Sequence, residues 1–222
     1  MTYRGVLFDV DGTLLGLRPE PEVFYRQVCR EYGLDCTGLA EARAVASRFV
    51  SAHGLAYGDD EAGMWRAAHR EVFLRLGAGG QAEACAARFQ ELFRAQSEHF
   101  LYPDVRPTLE GLRARGYLLG ALTGRLHSSE HLLVELSIRP YFAFYLYAGE
   151  IGVLKPAPRF YQEALRRAGL PAAAIVLVGD QTADVEGALS VGMTPLRVAR
   201  GKEHPEEGEI ADLRGLLAWL EG

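Results

Sequence analysis

The chain has 222 residues, of which 49% are hydrophobic and 24% charged, and its formal net charge is −5. This composition is typical of a globular protein and carries no signature of disorder. The acidic balance excludes a basic surface for nucleic acid, and no polybasic run would bind an anionic membrane. No apolar run approaches the ~20 residues that span a bilayer. We therefore expect a cytoplasmic protein, and nothing in the sequence indicates its oligomeric state.

The cysteines are few and irregularly spaced. Cys29, Cys36 and Cys85 form an odd set without a CxxC motif. A disulfide framework or a zinc site would need more cysteines or a closer spacing, so we expect reduced thiols.

The first element in chain order is a buried strand that leads into acidic residues. "YRGVLFDV" at 3–10 is a short apolar run rich in β-formers. Its near-continuous hydrophobicity is typical of a strand buried on both faces of a parallel sheet. The strand should end at Asp9, with Asp11 two residues later. If the backbone stays extended there, the two carboxylates project the same way.

Residues 19 to about 100 contain no strand signal. A block of roughly 80 helical residues is too long for a crossover connection between strands. We interpret 17–99 as a small all-α domain inserted after the first strand, over the end of the sheet. The amphipathic pattern predicts helices within 21–33, 40–54, 60–77 and 81–100.

Strands and helices alternate once "FLYPDVRP" at 100–107 returns the chain to the core. The alternation predicts an α/β fold, in which 1–16 and 100–222 form a doubly wound, Rossmann-like, mostly parallel sheet. Functional side chains then gather at the carboxyl ends of the strands. Strands are predicted at 117–124, 142–149, 174–180 and 194–199, and helices at 106–116, 128–137, 158–169 and 182–192.

Polar side chains recur at these predicted strand ends. Thr123 ends one strand, Asp180 ends "VGD", and Asp184 follows four residues later. Together with Asp9 and Asp11 they should meet at one crevice, where four carboxylates would repel one another unless a cation intervened. Mg²⁺ characteristically binds through carboxylates, waters and a substrate phosphate, so Mg²⁺ is the expected cofactor.

Lys155, in "GVLKPAP", is unusual for this chain. Of 24 Lys and Arg residues only Lys155 and Lys202 are lysines, which leaves 22 arginines. Lysine supplies a compact point charge, whereas arginine supplies a planar fork. A site that neutralises a carboxylate nucleophile and a phosphoryl oxygen from one side favours lysine.

Four motifs follow one another through the predicted core: "FDVDGTL", the strand-end "LTG", "GVLKPAP" and "VGDQTADVEGA". Together they resemble the motifs of the haloacid dehalogenase-like hydrolases, and the helical insert resembles the C1-type cap of that superfamily. The resemblance implies a Mg²⁺-dependent phosphomonoester hydrolase. It also implies a small phosphorylated metabolite as substrate and an aspartyl-phosphate intermediate.

The resemblance further implies roles for the matching core residues. Asp9 would be the nucleophile that attacks phosphorus, which divides one hard displacement into two easier steps. Asp11 would protonate the leaving alkoxide and then activate water. Thr123 and Gly124 would donate hydrogen bonds to the phosphoryl oxygens, and Lys155 would hold Asp9 and the phosphoryl group together.

The implied magnesium ligands lie in the first and last motifs. Asp9, Asp180 and the backbone carbonyl of Asp11 would hold the ion, with Asp184 as a ligand through water or as an orienting group. Thr13, in the same loop as Asp11, is predicted to bind substrate.

The family pattern does not decide the roles of the residues in two regions. The family often has Asn after the Ser/Thr of its second motif, whereas this chain has Gly124 followed by Arg125. Arg125 either replaces the missing amide contact to substrate or is a surface arginine at a helix start. In the helical insert, His53 and Tyr57 are predicted to bind substrate, although any helical bundle carries such residues in packing or on its surface. Further candidates there are Arg18, Trp65 and Arg66.

Other functions remain as alternatives. A sugar-phosphate mutase differs only in whether water or a second hydroxyl takes the phosphoryl group. Asp11 disfavours a dehalogenase, because dehalogenation needs no leaving-group acid and those enzymes lack this aspartate. Asp11 and the lysine-poor insert disfavour a phosphonatase. A phospho-accepting or non-catalytic binding module is disfavoured by the DxD pattern on the first strand, the long insertion and the complete set of charged motifs.

Overall fold

The fold is described from a computed structural model for residues 3–202 and 204–221. The chain divides into two compact units. The core unit comprises Met1–Gly16 and Phe100–Gly222, and the helical unit comprises Leu17–His99.

The secondary structure alternates in the core unit and is almost wholly helical in the other. The strands are β1 (Gly5–Asp9), β2 (Leu15–Arg18), β3 (Glu98–Leu101), β4 (Leu118–Thr123), β5 (Phe144–Tyr147), β6 (Ile175–Gly179), β7 (Thr194–Val198) and β8 (Glu209–Ile210). The helices are α1 (Pro21–Tyr32), α2 (Leu39–His53), α3 (Glu61–Arg75), α4 (Ala82–Gln96), α5 (Val105–Ala114), α6 (Glu130–Glu135), α7 (Ala148–Ile151), α8 (Pro158–Ala168), α9 (Thr182–Ser190) and α10 (Arg214–Glu221).

The core unit contains a six-stranded sheet in the order β5-β4-β1-β6-β7-β8, and its strand pairs are parallel. The predicted α/β fold with a Rossmann-like parallel sheet is thereby confirmed. The strand β8 and the helix α10 were not predicted, because β8 has only two residues and its pairing with β7 depends on the folded sheet.

Both faces of the sheet are buried, as the near-continuous apolar strands predict. Val6 and Phe8 point into a cluster that includes residues of α5, α6 and α10. Leu7 points into the opposite cluster, which includes residues of α8 and α9. The alternation of side chains along β1 thus supplies both hydrophobic layers.

The helical unit has its own apolar core, in which α1 to α4 contribute buried residues such as Phe24, Phe73 and Phe89. The predicted extension of the last helix to Phe100 is wrong. The helix α4 ends at Gln96, Ser97 is extended, and β3 pairs with β2 in a two-stranded sheet. A backbone partner outside the segment fixes this strand, so helical periodicity alone could not reveal it.

A disulfide joins Cys29 of α1 to Cys36, while Cys85 is buried and free. The expectation of reduced thiols is therefore wrong for this pair. The left-handed Gly33 at the end of α1 turns the chain back and brings Cys36 near the helix it has just left.

The cytoplasmic location stays a prediction. Among the described residues, no helix is long and apolar enough to cross a membrane.

Candidate active site

Motif residues that are far apart in the sequence meet where the parallel strands end. Asp9 is the last residue of β1 and Thr123 the last of β4, and these strands are neighbours. Asp180 directly follows β6, which pairs with β1 on its other side. Lys155 lies in the loop between α7 and α8. The strand order therefore brings the four motifs to one edge of the sheet.

The ammonium group of Lys155 joins two carboxylates. Its Nζ donates to Asp9 Oδ1 at 2.6 Å and to Asp184 Oδ1 at 2.8 Å. The lysine side chain is only 9% exposed, and its Nζ lies 5.7 Å from the centroid of the Phe160 ring. Burial by itself lowers the pKa of Lys155, but the carboxylates of Asp9 and Asp184 outweigh it and raise that pKa above its ordinary value. The ammonium is therefore charged and fixed beside Asp9.

Asp9, Asp180 and Asp184 form a cluster with more negative charge than Lys155 neutralises. One oxygen of each carboxylate lies within 4.8 Å of the others. Burial raises the pKa of Asp9 well above its ordinary value, and the carboxylates of Asp184 and Asp180 raise it further against the charge of Lys155. Burial, followed by the charge of Asp184, also raises the pKa of Asp180.

Two oxygens in this cluster point to a cation. Asp9 Oδ2 and Asp180 Oδ1 are buried, and neither has a hydrogen-bond partner within the part of the chain that the structure describes. Buried carboxylate oxygens without donors are costly unless a cation compensates them. Closely spaced oxygen ligands of this kind are those that Mg²⁺ prefers, so the donor set fits the expected ion.

Asp11 belongs to a second cluster. The guanidinium of Arg125 donates to both its oxygens, from Nε at 2.8 Å and from Nη2 at 2.6 Å. Thr123 Oγ1 donates to Asp11 Oδ2 at 3.3 Å and accepts from Arg125 N at 3.3 Å. The backbone bends at Val10, after the end of β1. The premise of an extended backbone therefore fails, and Asp9 and Asp11 have different partners.

Gly124 and Thr13 are two further residues that are predicted to contact phosphate or substrate. An added Cβ at Gly124 would meet only Lys155 Cδ, at 3.9 Å, so packing does not require glycine there. Thr13 is fully buried, and its Oγ1 has no hydrogen-bond partner among the described residues. The contact of Thr13 with substrate stays a prediction.

Gly12 is required by its backbone and by its neighbour. Its φ is +83°, and an added Cβ would lie 2.4 Å from Asp180 Oδ2. Only glycine combines a positive φ with so close an approach to another group. The loop after β1 is therefore pressed directly against the carboxylate of Asp180.

The loop after β6 is braced from two sides. Asp184 accepts a hydrogen bond from Gln181 N in a capping box at the start of α9, besides the one from Lys155. Arg197, on β7, donates from Nε to the backbone oxygen of Asp180 at 3.1 Å. Arg197 was not predicted as a site residue, although it lies near the end of a sheet strand, the same signal that singles out the aspartates.

The candidates in the helical unit pack against its own residues. His53 ends α2 and Tyr57 follows in a 3₁₀ turn, with ring centroids 5.0 Å and 6.2 Å from that of Phe49. Their contact with substrate stays a prediction. The other candidates also have partners inside this unit: Arg66 with Gln90, Trp65 with His69, and Arg18 with Glu98.

Residues 3–192 match the sequence model of a family described as haloacid dehalogenase-like hydrolase. A hydrolase with a Rossmann-like parallel sheet and an aspartate cluster at its strand ends is the class that the fold, the site and this match define. The chain belongs to the haloacid dehalogenase-like hydrolases and is a phosphatase-type member of that family.

Two phosphatases and the structure of a dehalogenase are similar to this protein over most of the chain. A glyceraldehyde 3-phosphate phosphatase of Methanopyrus kandleri is 34% identical over 206 residues, which span 90% of this chain and 85% of the relative. A phosphoserine phosphatase of Thermus thermophilus is 29% identical, over 92% and 82% of the two chains. The crystal structure of a 2-haloacid dehalogenase from Pseudomonas syringae is 28% identical, with a TM-score of 0.60 over 99% of each chain.

Proposed function

We propose that the protein is a Mg²⁺-dependent phosphomonoester hydrolase that acts on a small phosphorylated metabolite through Asp9. The observation that carries the proposal is the pairing of Asp9 with a buried ammonium, beside buried carboxylate oxygens that have no hydrogen-bond partner among the residues described. A nucleophilic carboxylate next to a cationic phosphate-binding group and a cation site is what phosphoryl transfer requires. The similarity to two phosphatases with different small substrates supports the same reaction class.

Asp9 is proposed as the nucleophile. One of its oxygens forms a bond to phosphorus while the bond from phosphorus to the ester oxygen breaks, which leaves an aspartyl-phosphate and an alkoxide. Lys155 keeps the Asp9 carboxylate oriented and adds positive charge where the phosphoryl group gains negative charge. The hydroxyl of Thr123 and the backbone N–H of Gly124 are proposed as donors to the phosphoryl oxygens.

Asp11 is proposed as the acid and then the base. It gives its proton to the alkoxide in the first step, and in the second it takes a proton from the water that attacks phosphorus. Phosphate is released and Asp9 is restored. Arg125 holds both oxygens of Asp11, which supports the proposal that it orients this carboxylate and contacts substrate at the position of the missing motif-two Asn.

Magnesium would be held by Asp9, Asp180 and the backbone carbonyl of Asp11, with Asp184 close by. When bound, Mg²⁺ neutralises negative charge on the phosphoryl oxygens. His53 and Tyr57 are proposed to contact the remainder of the substrate.

Asp11 separates this proposal from dehalogenation, the activity of the similar 2-haloacid dehalogenase. Halide is a good leaving group that needs no proton, whereas an alkoxide is a poor one that does. A carboxyl group at this position can supply that proton, so the presence of Asp11 supports ester hydrolysis over dehalogenation.

The test is release of phosphate from p-nitrophenyl phosphate with Mg²⁺. The wild-type protein should be active, and Asp9→Asn should lower kcat by roughly 10³-fold or more, because the amide is a poor nucleophile. Asp35→Asn, at an exposed aspartate of the helical unit, is the matched control and should retain wild-type activity. Wild-type rates in purified Asp9→Asn would rule the proposal out. A panel of phosphorylated metabolites then identifies the substrate.

A further inference from the structure

Arg200 lies just beyond β7, and two nitrogens of its guanidinium donate to the loop after β1. Its Nε donates to the backbone oxygen of Gly12 at 3.2 Å, and its Nη2 to that of Thr13 at 2.5 Å. Its Nη1 donates to both oxygens of Asp104, at 3.2 Å and 3.1 Å. The guanidinium also lies over the ring of Tyr102, 3.7 Å from the centroid. One planar fork therefore connects a carboxylate to two consecutive backbone carbonyls.

The Asp104 end of this connection is firmly anchored. The Asp104 side chain is 2% exposed and accepts a further hydrogen bond from Leu213 N at 2.6 Å. Buried groups of the core unit thus fix the position of Arg200. Its remaining donors in turn fix the positions of the carbonyls of Gly12 and Thr13.

The loop held in this way is the one that approaches the carboxylate cluster. The backbone of Gly12 lies against Asp180, since an added Cβ would be 2.4 Å from Asp180 Oδ2. The backbone carbonyl of Asp11, which is proposed to bind Mg²⁺, belongs to the peptide directly before Gly12. The Gly12 carbonyl that Arg200 contacts belongs to the next peptide, and the two are joined through the Gly12 Cα. A movement of the Gly12 carbonyl would therefore move this ligand relative to Asp180.

We propose that Arg200 is a positioning residue for the magnesium site. It holds the Asp11–Gly12 peptide against Asp180 through the carbonyls of Gly12 and Thr13. The inference rests on the proposed function, because it concerns the same Mg²⁺ site. Arg200 lies beyond the residues, 3–192, that match the family.

Arg106 offers a matched control, since it makes the same kind of contact at a different loop. Its guanidinium donates to two consecutive backbone carbonyls, those of Leu136 at 2.9 Å and Ser137 at 3.1 Å. A purely structural arginine would behave like Arg106. A positioning arginine would, in addition, change the affinity for Mg²⁺.

The experiment measures Mg²⁺ binding by isothermal titration calorimetry on the wild type, Arg200→Lys and Arg106→Lys. Lysine retains the charge opposite Asp104 but cannot span the carboxylate and both carbonyls. Loss of a group that orients metal ligands typically weakens metal binding by 10–100-fold, and we expect about that increase in Kd for Arg200→Lys. Hydrogen exchange of the amides in 10–15 should also quicken in Arg200→Lys, whereas Arg106→Lys should bind Mg²⁺ like the wild type.

A second variant covers the case in which Arg200→Lys does not fold. The double variant Asp104→Asn with Arg200→Gln removes the buried charge together with its partner, yet still lacks the fork to the carbonyls. It should show the same weakened Mg²⁺ binding. Unchanged Mg²⁺ affinity in the Arg200 variants, or equal weakening in Arg106→Lys, would overturn the inference while wild-type binding and hydrolysis leave the proposed function intact. A wild type that neither binds Mg²⁺ nor hydrolyses p-nitrophenyl phosphate would overturn both.

Discussion

Lys155 and Lys202 are the two lysines of the chain, and each donates to two carboxylates. They differ in burial, because the side chain of Lys155 is 9% exposed and that of Lys202 is 38% exposed. Buried charges interact strongly with their partners, whereas exposed pairs contribute about 0–1 kcal/mol. The same substitution at the two positions therefore separates the role of Lys155 from the general effect of losing a lysine.

Lys155→Ala should lower kcat for p-nitrophenyl phosphate by roughly 10²–10³-fold, because it removes a charge aimed at the phosphoryl group. Lys155→Arg retains the charge but places a planar, larger group in a buried site, and we expect it to lose most of the activity too. Lys202→Ala and Lys202→Arg should retain wild-type kcat. Substantial activity in Lys155→Arg would show that charge alone suffices at this position.

The sequence predicts the identity of the site residues better than their partners. The strand-end rule singles out Asp9, Thr123 and Asp180, because parallel strands present their ends at one edge. The bidentate contact between Arg125 and Asp11 depends on the bend at Val10, a local backbone feature that residue types do not encode. The sequence motif marks the position of Arg125 but not its orientation.

At the scale of elements, α9 and α8 are held together by Tyr161 and Gly187. Tyr161 Oη donates to the backbone oxygen of Ala183 at 2.8 Å, and an added Cβ at Gly187 would lie 1.9 Å from the Tyr161 ring. The first turn of α9 carries Asp184, which accepts from Lys155. Contact between these helices therefore sets the distance between two groups of the candidate site.

Gly187→Ala should force α9 away from α8, at a cost of about 1–3 kcal/mol of unfolding free energy from overpacking. The displacement of Asp184 should also lower kcat/KM by about 10–100-fold, as small misplacements of catalytic groups do. The control is Gly215→Ala in α10, where an added Cβ lies 3.4 Å from Ile210 and the helix gains stability. Thermal melts and phosphatase assays of both variants measure the effect. Wild-type activity in Gly187→Ala would show that the contact does not control the site.

Prediction of whole elements succeeds where the pattern is local and fails where the partner is distant. The buried strands β1, β4 and β6 are near-continuous apolar runs, and the helix α8 has a clear helical periodicity and ends at a glycine. The short strands β2 and β3 pair with each other although the helices α1 to α4 separate them in the sequence, and β8 forms only by pairing with β7. The pairing of β2 with β3 is not visible in local sequence, because it joins segments whose proximity follows only from the fold. The disulfide is local, between cysteines with a sequence separation of 7, but residue types alone do not show the turn at Gly33 that brings them together.

At the scale of the whole molecule, the carboxylate cluster should make stability depend on pH and Mg²⁺ together. Folding raises the pKa of Asp9 and of Asp180, chiefly through burial. The folded protein therefore holds more protons than the unfolded chain at pH values above the ordinary pKa of Asp, ~3.9. The metal-free protein must then lose stability as pH rises through the raised pKa values.

Mg²⁺ should remove this loss, because it compensates the carboxylates that are otherwise buried and charged. Saturation at ~100-fold above Kd adds about 2.7 kcal/mol, which corresponds to a rise in Tm of about 5–10 °C for a chain of this size. The rise should be larger at pH ~8 than at pH ~5, where protons compete for the same oxygens. Melting curves with MgCl₂ and with EDTA at both pH values measure the rise in Tm. The control is the double variant Asp9→Asn with Asp180→Asn, in which Mg²⁺ should no longer raise Tm at either pH. An equal or larger rise at the lower pH would contradict the assignment of these aspartates as Mg²⁺ ligands, since a site elsewhere would not compete with their protons.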